Sequence, residues 1–347
     1  MGVPLTGSVP HNRQVTGLGR GPATSNKVFF ADVETFEGQT RIVSTLAQLA
    51  ANHAEIDWSV NCGNMSSALQ LWALDAELIK TSSVSIRNVN TGVITTSRMI
   101  RPADGRFEKA DIPGVMGSYP LVDLFLHDPI GAKTGKLLPT GKPSEMIEGR
   151  IVSCVDVAVP MVIAAAAEFG KTGYESDADL TGDRNFLDAL RATWIEAGLR
   201  MGLKRRDGTP MNVDDLARSE TIPKICIVAP PRDGGQITVR YFTPQTAHAS
   251  MAVSGGCCLA AACLLPGTVA HEVARNVVSL TSEFTETTIG IENPAGVLEA
   301  TVVAAISGAS IAISRVAYRR STQILLRGHV PLYGASDQLI AALAHMG

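Results

Sequence analysis

Cys62 stands between Asn61, Gly63 and Asn64, unusual company for a free thiol, which ordinarily packs among apolar side chains. The polar run 59–67 leads straight into residues 68–79, which are apolar on nearly all sides, as in a buried helix entered from a polar loop. The field at a helix N-terminus favours a thiolate, so a cysteine there is a candidate acid or base. Lys27, just before Val28-Phe29-Phe30, is a second candidate, because a lysine desolvated against aromatic rings becomes able to accept a proton. His248 is a third. It opens the run Ala249-Ser250-Met251-Ala252-Val253-Ser254-Gly255-Gly256, which feeds the apolar residues 257–265. Each candidate also has a plain structural reading: a packed thiol, a solvated strand-end lysine, a hydrogen-bonded loop histidine.

The two loop-to-helix junctions matter together. Unpaired backbone N–H groups and the helix dipole favour anions at such N-termini. Facing each other across a cleft, two of them would hold a di- or tricarboxylate and stabilise the enediolate formed when a proton leaves the adjacent carbon.

The elements that must position these groups are legible in part. Residues 1–22 are rich in Gly and Pro and predict extended loop, followed by a strand at 28–30. Ile42, Leu46 and Leu49, with Ala47 and Ala50, predict a surface helix over 41–52. Residues 84–89 and 92–100 alternate around Asn90-Thr91-Gly92 and predict a hairpin. Leu138-Pro139-Thr140-Gly141-Lys142-Pro143 is the best linker candidate. After it the pattern repeats: a strand at 151–155, a surface helix at 186–199, strands at 225–228 and 237–242, then the second polar loop and apolar helix. We therefore expect two similar lobes, 1–147 and 148–347, each a mostly antiparallel sheet around a central helix, in an α+β fold.

Composition excludes several classes of function. A chain of 347 residues that is 45% hydrophobic and 18% charged has enough apolar residues for a folded, two-domain protein. Its 30 basic and 33 acidic residues give a net charge of −3, with no basic cluster of the kind that nucleic acid or anionic membranes require. Six cysteines form no CxxC pair, so reduced thiols in the cytoplasm are expected, and Cys257, Cys258 and Cys263 do not converge on a metal. The longest apolar run, 251–265, is shorter than the roughly 20 residues of a membrane span. No signal-peptide core, complete phosphate loop, GxSxG or HExxH is present.

Several segments, in this order, resemble the PrpF-like proteins: Gln14-Val15-Thr16-Gly17-Leu18-Gly19, Thr24-Ser25-Asn26-Lys27, Asp57-Trp58-Ser59-Val60-Asn61-Cys62-Gly63-Asn64, and Gly135-Lys136-Leu137-Leu138-Pro139-Thr140-Gly141. Ile222-Pro223-Lys224, His248-Ala249 and Pro266-Gly267-Thr268 match as well. The resemblance implies a diaminopimelate epimerase-like fold of two pseudo-symmetric lobes. It also implies cofactor-independent double-bond shifts or cis-trans isomerisation in acids such as aconitate, methylaconitate, methylitaconate and oxalomesaconate. The family's acid-base pair carries over to Lys27 and Cys62. Thr24, Ser25, Asn61, Gly63, Asn64, Lys224, His248, Ser254 and Gly255 are the expected substrate-binding positions. The partner is a small polycarboxylate, with homo-oligomer formation open.

The chain departs from the family in lacking a counterpart of the Gly- and Ser/Thr-rich first strand, and in carrying Val159, Ser254 and Asn293 where relatives have Asn, Thr and His. Two rivals stand beside the isomerase: a racemase of the same fold, with Cys257 as its second thiol, and a non-catalytic polycarboxylate-binding or accessory protein.

Overall fold

Lys27–Phe36 (β1) and Gln39–Leu49 (β2) form one antiparallel ladder, running from Lys27 opposite Gln48 to Phe36 opposite Gln39. Over residues 41–49 the helix expected for 41–52 is therefore a strand. Ile42, Ser44 and Leu46 are buried in alternation, and Thr40, Ile42, Val43 and Thr45 are β-branched. The i, i+4 spacing of Ile42 and Leu46 fits either period; with β1 as partner the period of two prevails. The structure, a computed structural model, describes residues 27–49, 56–58, 61–102, 105–113, 115–205, 207–219, 221–308, 310–329, 336–338 and 341. The loop predicted over 1–22, Thr24 and Ser25, and the departure at the first strand lie outside the described residues.

The chain divides into two compact units: Met1–Ser97 with Thr322–Gly347, and Arg98–Ser321. In the first unit β2 pairs antiparallel with Ile56–Asp57 (β3) and parallel with Ser83–Asn88 (β4), Arg41 lying opposite Ser85 and Ser44 opposite Asn88. β4 turns into Ile94–Arg98 (β5) through the Asn90-Thr91-Gly92 turn, as its composition predicts. The single buried helix expected at 68–79 is instead two short ones, Gly63–Ser66 (α1) and Leu69–Asp75 (α2). Only Leu69, Gln70, Leu71 and Ala73 of α2 are buried. Glu77 at φ 58° then turns the chain, leaving Leu78 exposed and returning Ile79 to the core.

The second unit contains Lys109–Asp111 (β6), Ser118–His127 (β7), Glu145–Ile147 (β8), Arg150–Val157 (β9), Val159–Ala165 (β10), Lys224–Ala229 (β11), Ile237–Thr243 (β12), Thr246–Ala247 (β13), Thr285–Asn293 (β14), Gly296–Ser307 (β15) and Ser310–Ser321 (β16). Its strand order is β7-β16-β15-β14-β12-β11-β10-β9-β8, with β6 on β7 and β13 on β12. The β10–β11 and β12–β14 pairs are parallel and the neighbouring ladders antiparallel. Because β7 hydrogen-bonds β16, residues 98–147 belong with the C-terminal strands, whereas the sequence placed a division at 147/148. The proposed linker is likewise part of this unit. Ser153 Oγ donates to Pro143 O at 2.6 Å, Asp156 N donates to Leu137 O at 3.0 Å, and Leu137 and Leu138 pack on the core.

Helices Asp177–Gly182 (α3), Arg184–Arg200 (α4) and Val213–Arg218 (α5) precede β11. α4 covers one side of β9–β11 through Phe186, Leu190, Trp194 and Ala197. On the other side lies Val253–Cys263 (α6), buried continuously from Gly255 to Cys263 and followed by Val269–Val273 (α7). α6 packs against β9, β10, β14, β15 and β16. A helix apolar all round must be enclosed in this way. It begins at Val253, so Ser254 and Gly255 form its first turn rather than the loop before it. Among the described residues no helix is long and apolar enough to cross a membrane.

Candidate active site

Lys27 and Cys62, separated by 35 positions, meet within the first unit: Lys27 Nζ donates to Cys62 Sγ at 3.5 Å. Both side chains are half-buried. Lys27 is held by the β1–β2 ladder, and Cys62 is the N-cap of α1, with extended backbone and its carbonyl accepting from Ser66 N at 2.9 Å. Asn61 Oδ1 accepts from Cys62 N at 2.7 Å, closing the turn that presents the thiol. Gly63 leaves open space where a Cβ would stand, and Asn64 is exposed.

Asn90 fixes the approach to this turn, a role its place in a predicted hairpin did not reveal. Its amide donates to Leu46 O at 2.9 Å and to Trp58 O at 2.7 Å, and its oxygen accepts from Leu46 N at 2.7 Å. One side chain so ties β2 to the Trp58 end of the cysteine segment. Trp58 in turn lies against Phe30 of β1, with ring centroids 6.3 Å apart.

In the second unit Lys224 opens β11 and His248 follows β13, its backbone N donating to Tyr241 O at 2.9 Å. Burial lowers Lys224 to a pKa of about 8. His248 is held below its ordinary value by burial first, then by the positive charges of Lys224 and Arg320, with Asp177 opposing them. Ser250 N donates to His248 Nδ1 at 3.0 Å, so neutral His248 carries its proton on Nε2 and presents a donor. Ser254 is half-buried, whereas Gly255 is buried and its missing Cβ makes room for Tyr241, whose Cε2 would stand 2.5 Å away. Gly256 accommodates Tyr318 in the same manner, at 2.4 Å. Arg320 was not singled out in the sequence, where it is one basic residue of an arginine pair in an alternating strand.

The remaining cysteines are unsuited to proton transfer. Cys154, Cys226, Cys257, Cys258 and Cys263 are fully buried. Burial pushes Cys257 and Cys263 up to about 12 and Cys226 well above the ordinary thiol value. A racemase with Cys257 as its second thiol would need that group ionised, so the site disfavours this rival. Among the described residues no cluster of His, Cys, Asp or Glu could hold a metal ion.

Comparison with known proteins agrees with the resemblance carried by the motifs. Residues 3–333 match the family model described as PrpF protein. The chain is 32% identical over 295 residues to the 4-oxalomesaconate tautomerase of Pseudomonas putida, covering 83% of this chain and 76% of that protein. It is 31% identical over 325 residues to the (4E)-oxalomesaconate Delta-isomerase of a Novosphingobium species, covering 91% and 85%. Among solved structures, a methylitaconate-delta-isomerase superposes with a TM-score of 0.76 at 24% identity, over 93% of this chain and 86% of that one, which establishes the mixed, sheet-rich fold. With so much of the chain covered, and with Lys27 and Cys62 in contact, the protein belongs to the PrpF family and is an isomerase.

Proposed function

We propose that the protein shifts a C=C bond in a small unsaturated di- or tricarboxylic acid, such as aconitate, methylaconitate or a substituted itaconate, without a cofactor. The observation that carries this reading is the hydrogen bond from Lys27 Nζ to Cys62 Sγ. One of the two groups takes a proton from an allylic carbon. The electron pair delocalises through the alkene into the adjacent carboxylate, and a proton returned at the far carbon leaves the double bond moved with composition unchanged. Return after rotation within the delocalised anion gives cis-trans isomerisation from the same parts. Asn61, Gly63 and Asn64 around the thiol are carboxylate-binding groups of this reading, as are Thr24 and Ser25; in the second unit, Lys224, His248 and the Ser254–Gly255 turn of α6 are the binding positions that the family resemblance implies. The names of relatives that act on oxalomesaconate and methylitaconate support the substrate class. We read the fold as two related halves of the diaminopimelate epimerase type, because in each unit a polar loop feeds a helix, α2 in one and α6 in the other.

Proton NMR of the purified chain in deuterated water, with aconitate, methylitaconate and oxalomesaconate in turn, tests the assignment. Deuterium should enter an allylic position of at least one acid while its double bond moves. No exchange with any of them would leave a binding or accessory role. A pH profile adds an independent check. With Lys224 at about 8, KM for the acid should rise as pH climbs through about 8, because the charge that attracts a carboxylate is lost. Lys224→Met should raise KM at pH 7 and flatten that alkaline limb.

A further inference from the structure

Lys27 and Cys62 stand close enough for a chemistry other than proton transfer. Nitrogen and sulfur are 3.5 Å apart within one compact unit, and both backbones are anchored. Lys27 stands opposite Gln48 in the β1–β2 ladder. Cys62 N donates to Asn61 Oδ1 at 2.7 Å, and Cys62 O accepts from Ser66 N at 2.9 Å and from Ser66 Oγ at 3.0 Å. The flexible four-carbon stem of the lysine lets its amine close the remaining distance to the sulfur.

Oxidation reaches Cys62 before the other thiols. It is half-buried, whereas Cys154, Cys226, Cys257, Cys258 and Cys263 are buried, and burial pushes Cys154 and Cys257 up to about 12. Peroxides attack accessible thiolates, so these five are protected, and none is an accessible partner for a disulfide. A sulfenic acid at Cys62 therefore meets an amine rather than a second thiol.

We propose that Cys62 and Lys27 form a reversible oxidative modification site, at which hydrogen peroxide joins them through a sulfur–nitrogen bond. The Cys62 sulfur attacks one peroxide oxygen and the O–O bond breaks, giving a sulfenic acid and water. The neutral Lys27 amine then attacks that sulfur. The S–N bond forms as the S–O bond breaks, and the departing hydroxide takes the amine proton and leaves as a second water. A sulfenic acid can also condense with a backbone nitrogen, but the lone pair of Gly63 N is delocalised into the adjoining carbonyl, which makes the lysine amine the better nucleophile. A small thiol attacking the bridged sulfur releases the amine, and a second thiol then restores Cys62. The bridge also keeps the sulfur from becoming a sulfinic acid, which thiols do not reduce. On the isomerase reading it occupies both proton-transfer groups and switches the enzyme off until it is reduced.

Mass spectrometry of the purified full chain, treated with hydrogen peroxide and then digested, tests the bridge. Wild type should yield the Lys27 and Cys62 peptides joined and two hydrogens lighter than their sum, and dithiothreitol should part them. In Lys27→Ala the sulfur should instead gain one oxygen, trapped by dimedone, and then a second that dithiothreitol does not remove. Lys27→Arg, whose guanidinium stays protonated, should behave as Lys27→Ala does, and melting curves check that both variants fold. Peptides that stay separate in oxidised wild type would overturn the proposal, as would a ring closed on the Gly63 nitrogen or sulfinic acid forming as fast in wild type as in Lys27→Ala. The mass readout needs no turnover. A reversible bridge in a protein that exchanges no deuterium would sustain the site and sink the isomerase reading, whereas exchange without a bridge would do the reverse.

Discussion

Lys27→Ala is expected to slow both deuterium entry and double-bond migration by about 10²- to 10⁴-fold, the usual contribution of a positioned acid or base. Cys62→Ser should fall in the same range, since a hydroxyl replaces the thiol as acid or base. The two groups are in hydrogen-bond contact, so they should behave as one unit. The double variant should then be little slower than the worse single one, whereas independent roles would multiply the losses. Substrate affinity, read with a saturated tricarboxylate that cannot be isomerised, should change far less than the rate. Both side chains are only half-buried, which keeps the expected change in stability within about 1 kcal/mol and lets a melting curve exclude unfolding as the cause. Wild-type exchange in either single variant would remove that residue from the proton path.

The parts of this site visible in the sequence were those announced by chemical oddity. A cysteine among asparagines and a glycine-rich mouth to an apolar run need no tertiary information to attract notice, and the helix buried at 253–263 follows from its composition alone. Two kinds of feature stayed hidden. Ile42 and Leu46 satisfy both periods, and only the presence of β1 as a ladder partner decides for strand over helix. Arg319 and Arg320 are identical letters side by side, yet the pleat sends one to the carboxylates of Asp123 and Glu299 and the other to Tyr318 and the first turn of α6. Asn90 was read for its turn, whereas its amide also closes three hydrogen bonds to residues 32 and 44 positions away. Pairing partners and the faces of a strand are properties of the assembled sheet, and neither is written in local spacing.

Glu292→Ala should be among the most destabilising single changes in the second unit, costing about 3–5 kcal/mol. The parallel pairing of β12 with β14 is short, Ile237 opposite Ile291 and Thr238 opposite Glu292, so this ladder alone joins the two strands weakly. The Glu292 carboxylate supplies what the ladder lacks. It accepts from Arg232 N at 2.9 Å, Asp233 N at 2.5 Å, Gly235 N at 2.9 Å and Thr238 Oγ1 at 2.5 Å, with the residue only 4% exposed. Deleting it orphans those donors together, and each unsatisfied buried donor costs about 1–3 kcal/mol before the loop relaxes. Burial by itself would raise the pKa of Glu292, but the hydrogen bonds from Thr238, Arg232, Gly235 and Asp233 outweigh it and hold the group below the ordinary carboxylate value. A carboxyl depressed on folding stabilises fully above its unfolded pKa, and that stability is lost as pH falls through the folded value. Urea denaturation of wild type should therefore show a decline in acid that Glu292→Gln, already without the charge, reproduces only in attenuated form.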